Sequence, residues 1–202
     1  MNLDLQKFRY KFRYFIEQYY EKPLVNFFVS IKFSPSMITI LGLIITFISS
    51  FFIYKGLFVF SAIILIIGSS FDMLDGGVAR RTNSVSKEGA LLDSVFDRIS
   101  EALVLVSIAF YYLNNESTNG YEIYLCFISL VGSIMVSYIR ARAEYLGATG
   151  TAGILTRPER LIIIIFSLLL GNPIYALWIL AVGTPISAGI RFFDSWKTLR
   201  KK

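Results

Sequence analysis

Residues Leu161–Ile190 read LIIIIFSLLLGNPIYALWILAVGTPISAGI, without a single Asp, Glu, Lys or Arg. One helical membrane span takes about 20 mostly apolar residues, so the stretch is too long for one. Gly171-Asn172-Pro173 interrupts it near the middle, where glycine ends a helix and proline cannot continue it. Two helices therefore lie here. Four more uncharged stretches, Met37–Tyr54, Gly56–Phe71, Ala102–Asn115 and Ile123–Ile139, each read as one helix running into charged flanks. The count is six.

Charge placement favours six over five. With six spans the N-terminus, the 76–88 loop, the 140–160 segment and the C-terminal tail share one side, and of the 20 basic residues only Lys55 lies opposite. With five, Arg191, Lys197, Arg200, Lys201 and Lys202 would fall on the outer side. Lys and Arg concentrate in cytoplasmic loops. A multi-pass protein of the cell membrane with both termini in the cytoplasm is the expectation.

Composition agrees. Of the 202 residues 55% are hydrophobic and 17% charged, whereas soluble domains carry roughly 25% charged residues. The absence of His excludes His-dependent triads and HExxH zinc sites. The lone Cys126 excludes an internal disulfide framework and a cysteine zinc site, and its place within a span makes it packing.

The first 36 residues hold six Lys/Arg and no long apolar core, so no cleavable signal peptide is read. Residues 7–15, KFRYKFRYF, alternate basic and aromatic, which also suits a strand or a nucleic-acid arm. As a helix they align Phe8, Phe12, Phe15 and Tyr19 on one stripe, suited to anionic headgroups just before a span. An interfacial helix is the expectation, with no nucleic acid as partner. The fold expected is an all-α integral membrane protein: an amphipathic interfacial segment over 1–34, then a six-helix domain over 35–202.

Charges within spans are rare and usually functional. Asp72 and Asp75 close the second span at i, i+3, and Asp93 and Asp97 open the third at i, i+4, each pair on one helix face. Helices joined by a short loop are neighbours, which lets the four carboxylates converge. Such a group persists if protonated, paired with Arg80, Arg81 and Arg98, or bound to metal. Oxygen donors alone favour Mg²⁺ or Mn²⁺, and four suffice for two ions clamping a phosphoryl transfer. Gly76, Gly77, Ala79 and Gly89 leave room for a nucleotide, and Arg80 offers phosphate a planar fork. A carboxylate-gated ion transporter is the alternative class, although transporter sites lie near the midplane rather than at a helix end.

The pattern Asp72-x2-Asp75-Gly76-x2-Ala79-Arg80-x8-Gly89-x3-Asp93-x3-Asp97 resembles, at all eight positions, the signature of the CDP-alcohol phosphotransferase family. The resemblance runs from about Pro35 to the C-terminus. It implies a homodimeric membrane enzyme that moves a phosphate-linked group from a CDP-alcohol to a hydroxyl and releases CMP. It further implies Asp72, Asp75, Asp93 and Asp97 as ligands of two Mg²⁺ or Mn²⁺ ions, with Asp97 also the general base. Asp72, Gly76, Ala79, Arg80 and Gly89 would line the cytidine diphosphate site. Many relatives place Asn after the proline opening the first span; this chain has Ser36, whose hydroxyl can still contact the nucleotide.

Ser137-Tyr138-Ile139-Arg140-Ala141-Arg142-Ala143-Glu144 and Arg157-Pro158-Glu159-Arg160 resemble the inositol-phosphate branch of that family. The resemblance implies an acceptor phosphate held by Arg140, Arg142, Arg157, Arg160 and Arg191. By themselves these arginines suit a polyanion, since guanidinium forks bind phosphate bidentately. They also read as topogenic charge, with Arg140 and Glu144 as an i, i+4 surface pair. The expected reaction joins a CDP-lipid, CDP-diacylglycerol or CDP-archaeol, to myo-inositol phosphate. Glycerol 3-phosphate is the alternative acceptor.

Overall fold

In a computed structural model of the chain, residues 17–115, 120–148 and 152–201 are described. Their regular elements are all helices. A π-helical turn, Glu17–Glu21, leads into α1 (Lys22–Ser30), followed by α2 (Pro35–Tyr54), α3 (Phe58–Arg81), α4 (Lys87–Leu113), α5 (Tyr121–Tyr145), α6 (Arg157–Leu169) and α7 (Ile174–Arg200). No strand occurs among the described residues. The break at Gly171-Asn172-Pro173 is present: α6 ends at Leu169, Gly171 takes φ +73°, and α7 begins at Ile174. Of the N-terminal aromatic stripe, Phe8, Phe12 and Phe15 lie outside the described residues, and Tyr19 is exposed.

Four helices, α2, α3, α5 and α7, are long and apolar enough to cross a membrane. Helix α4 has 27 residues but carries Lys87, Glu88, Asp93, Asp97 and Arg98 in its first half and Glu101 just beyond it. Helix α6 has 13 residues. The exposure pattern suits lipid rather than water. Helix α2 exposes Ile40, Ile44, Phe47, Ile48 and Phe51, one helical stripe, while Ser49, Ser50, Ser61, Ser129, Ser133, Thr184 and Ser187 are buried. In water such a stripe would be an association surface. Between lipid-embedded helices, small and hydroxyl side chains permit close approach and hydrogen bonding. Ser49 Oγ donates to the Ser61 carbonyl at 2.8 Å. A Cβ at Gly132 of α5 would meet Thr184 Oγ1 of α7 at 2.0 Å, so only glycine allows that crossing.

The chain divides into two compact units, one of Met1–Ile45 with Ile67–Asp97 and one of Thr46–Ile66 with Arg98–Lys202. In the first, Val25, Ile38, Leu74 and Val78 form the core, with Phe28, Phe33 and Phe71 against it. In the second, Ile53, Leu65, Leu105, Ile108, Ile164, Leu168, Leu177 and Leu180 do so, and Cys126 is buried among them as packing.

The 76–88 loop is shorter than the sequence suggests. Helix α3 continues through Gly76-Gly77 to Arg81, and α4 starts at Lys87. Each glycine costs the helix about 1 kcal/mol, but packing against α1 offsets this. Val78 is fully buried, and a Cβ at Gly77 would stand 2.6 Å from Val25 Cγ2. Gly77 therefore admits α1, not a nucleotide.

Candidate active site

The acidic residues sit on the last turns of α3 and the first turns of α4, within the first unit. Asp75 is buried at 6% exposure. Its Oδ2 accepts a 2.7 Å hydrogen bond from Thr39 Oγ1 of α2, and its Oδ1 accepts from the Gly76 amide. Thr39 also donates to the Pro35 carbonyl at 3.1 Å, one turn back in its own helix. The carboxylates of Asp93 and Asp72 act electrostatically on Asp75. Asp72, Asp93 and Asp97 are half-buried. Gly42 of α2 lies beside this group, since a Cβ there would stand 3.6 Å from Asp72 Oδ1. Among the described residues, no three acidic or cysteine side chains are already gathered into a metal-holding group. The donor set still fits a hard divalent ion. It offers oxygen alone, and like charges this poorly solvated need a cation to remain ionised.

Around it, Arg80 is exposed and its Nη2 donates to Glu21 Oε1 at 2.9 Å. A Cβ at Gly76 would meet Arg80 Nη1 at 3.2 Å, and one at Gly89 would meet Ser86 Oγ at 3.3 Å. Ala79 is half-buried and Ser36 exposed. Thr39 and Glu21, which hold Asp75 and Arg80, escape sequence reading because their partners lie 36 and 59 positions away. Ser36-x2-Thr39 after Pro35 is the one available signal.

The arginines belong to the second unit and fall into two kinds. Arg140 and Arg142 at the end of α5 are exposed; Arg140 Nε donates to Glu144 Oε1 at 2.9 Å, the i, i+4 pair, and Arg142 lies over the Tyr145 ring at 5.2 Å. Arg157, the first residue of α6, is half-buried. Arg160 and Arg191 are buried, at 1% and 2% exposure. Arg160 places Nε and Nη2 on the two Glu101 oxygens, both at 2.6 Å, and Nη1 on the Leu155 carbonyl at 3.1 Å. Arg191 donates through Nε to Ala152 O at 2.6 Å and through Nη1 to Val136 O at 2.8 Å. Arg140 and Arg160 both act electrostatically on Arg191. The fork of Arg160, expected on the acceptor, is thus occupied by Glu101 inside the protein. Nothing in the sequence around Glu101 marks this partner, 59 positions away.

Residues 32–188 match the model of the CDP-alcohol phosphatidyltransferase family. The chain belongs to this family. It is a CDP-alcohol phosphotransferase, an enzyme of the transferase class. It is 37% identical over 171 residues to archaetidylinositol phosphate synthase of Pyrococcus horikoshii, covering 84% of this chain and 87% of the relative. It is 32% identical over 184 residues to phosphatidylinositol phosphate synthase of Mycobacterium marinum, covering 86% and 78%. The fold is similar to crystal structures of Mycobacterium tuberculosis phosphatidylinositol phosphate synthase. The one with CDP-DAG bound has a TM-score of 0.81 at 28% identity, covering 88% of this chain and 94% of that one. The one in complex with manganese and citrate has a TM-score of 0.80 at 29% identity, covering 86% and 88%.

Proposed function

We propose that this transferase moves a phosphatidyl-type group from a CDP-lipid to myo-inositol phosphate and releases CMP. Asp72, Asp75, Asp93 and Asp97 would hold two divalent ions, Mg²⁺ or Mn²⁺, and the observation that carries this is Asp75, buried, held by Thr39 and one helical turn from Asp72. A shared cation draws together carboxylates that otherwise repel. The chemistry bound divalent ions supply is neutralisation of the pyrophosphate and stabilisation of CMP as leaving group.

The chain's own residues do the rest. Thr39 holds Asp75 in place through its hydroxyl. Gly76, Ala79 and Gly89 keep side-chain bulk away from the cytidine diphosphate, Ser36 offers it a hydroxyl, and Arg80 leaves Glu21 to pair with its phosphate. A carboxylate oxygen of Asp97 takes the proton of the attacking hydroxyl as a bond forms to the phosphorus that carries the lipid. The bond from that phosphorus to CMP breaks. A carboxylate near metal is a weak base, so positioning contributes more than basicity. Arg140, Arg142 and Arg157 hold the acceptor's phosphate, with Arg191 adding charge.

Six membrane-spanning helices, α2 to α7, follow an interfacial segment over 1–34 in this reading. The termini and the site face the cytoplasm, as the single basic residue on the far side, Lys55, supports. The enzyme works as a homodimer in the cell membrane. Purified protein with Mg²⁺ and CDP-lipid, given each acceptor in turn, tests the assignment by release of CMP. Turnover with inositol phosphate is expected. Turnover with glycerol 3-phosphate alone contradicts the acceptor, and ion flux in liposomes without CMP contradicts the enzyme.

A further inference from the structure

The strap Ala152–Thr156, which delivers the chain to Arg157, is not helical, yet its backbone is held by buried side chains. Ser187 Oγ accepts from the amides of Ile154 and Leu155, both at 3.2 Å. Arg191 Nε takes the Ala152 carbonyl and Arg160 Nη1 the Leu155 carbonyl. Side-chain packing matches. A Cβ at Gly183 would meet Leu155 Cδ1 at 2.5 Å, so Leu155 seats over that glycine. At Gly153, φ is +121° and a Cβ would meet Ser187 Oγ at 2.9 Å. Gly183, Ser187 and Arg191 stand at i, i+4, i+8, a single face of α7 built to receive the strap.

Arg160 completes the hold only because Glu101 neutralises it. A guanidinium at 1% exposure without a partner would be an uncompensated buried charge, and the bidentate geometry also fixes its plane. We infer that Glu101 and Ser187, through this clamp on 152–156, are positioning residues that set Arg157 for the acceptor's phosphate. Arg160 is then part of the clamp and not a phosphate ligand. This rests on the acceptor reading above.

Two readouts test it on the full chain in detergent. Amide hydrogen exchange needs no substrate: Ser187→Ala frees the Ile154 and Leu155 amides, which should exchange about ten-fold faster or more, with α7 itself unchanged. Kinetically, Ser187→Ala and Glu101→Gln should raise KM for inositol phosphate about ten-fold while KM for CDP-lipid moves less than about two-fold. Unchanged exchange at 154 and 155 overturns the clamp. Faster exchange with no change in acceptor KM, or equal changes in both KM values, overturns its role in acceptor binding. Should Glu101→Gln fail to fold, Ser187→Ala decides alone. If the unmodified enzyme uses glycerol 3-phosphate instead, the inositol assignment fails and the clamp is judged on that acceptor's KM.

Discussion

Thr39 Oγ1 lies 2.7 Å from Asp75 Oδ2, tying the first turns of α2 to the last turns of α3. The hydroxyl donates, so it stabilises an ionised Asp75, whose other oxygen accepts from the Gly76 amide. Thr39→Val keeps the shape and removes the donor. Partners of this outer kind are worth about 10–100-fold in metal affinity or activity. The Mg²⁺ concentration giving half-maximal CMP release should rise by that order, with maximal rate at saturating Mg²⁺ much less affected. An unchanged Mg²⁺ curve would separate Thr39 from the metal site.

Gly77 and Gly89 should respond differently to alanine. At Gly77 the new Cβ meets Val25 at 2.6 Å, so α1 must shift. Overpacking of this kind costs about 1–3 kcal/mol, and thermal unfolding should show it as a lowered Tm. At Gly89 the nearest atom is Ser86 Oγ at 3.3 Å, the end of a small side chain. Gly89→Ala should leave Tm near its original value and weaken CDP-lipid binding.

Two of the arginine–glutamate pairs make a second contrast. Arg160 and Glu101 side chains are 1% and 11% exposed, whereas Arg80 and Glu21 are 66% and 18%. Removing one partner of a buried pair costs about 3–5 kcal/mol, and Arg160→Ala should lower Tm accordingly. Arg80→Ala should change stability by less than about 1 kcal/mol and still lose turnover, because in the proposed site its guanidinium serves the nucleotide. A large fall in Tm for Arg80→Ala would make it structural.

How much of this was legible follows from the range of the signals. The α6–α7 break is local: Gly171-Asn172-Pro173 carries the whole reason within three residues. The acidic residues announced themselves by charge inside apolar sequence. What stayed hidden was pairing at a distance. Glu101 and Arg160 are 59 positions apart, so Arg160 looked like one more basic residue rather than a buried half of a pair. Gly77 looked like room for a nucleotide until Val25 took the space. The extension of α3 to Arg81 stayed hidden because charge bounded the apolar stretch at Phe71, and the packing that carries the helix through Gly76-Gly77 comes from α1.

Asp97→Asn separates chemistry from binding. The amide keeps the size and an oxygen donor but cannot accept the proton of the attacking hydroxyl. CDP-lipid binding, followed by equilibrium titration, should persist within about ten-fold while turnover falls by roughly 10²–10⁴, the range of general acid–base contributions. Joint loss of both would assign Asp97 to binding alone.

The proposed chemistry requires the aspartates of α3 and α4 to bind divalent ions for a nucleotide-activated lipid. Mn²⁺ binding to the purified enzyme in the presence of CDP-lipid, counted by electron paramagnetic resonance, tests it most directly. Two ions per chain, with at least one lost in Asp93→Asn, are predicted. No bound Mn²⁺, or the same number in the variant, would contradict it.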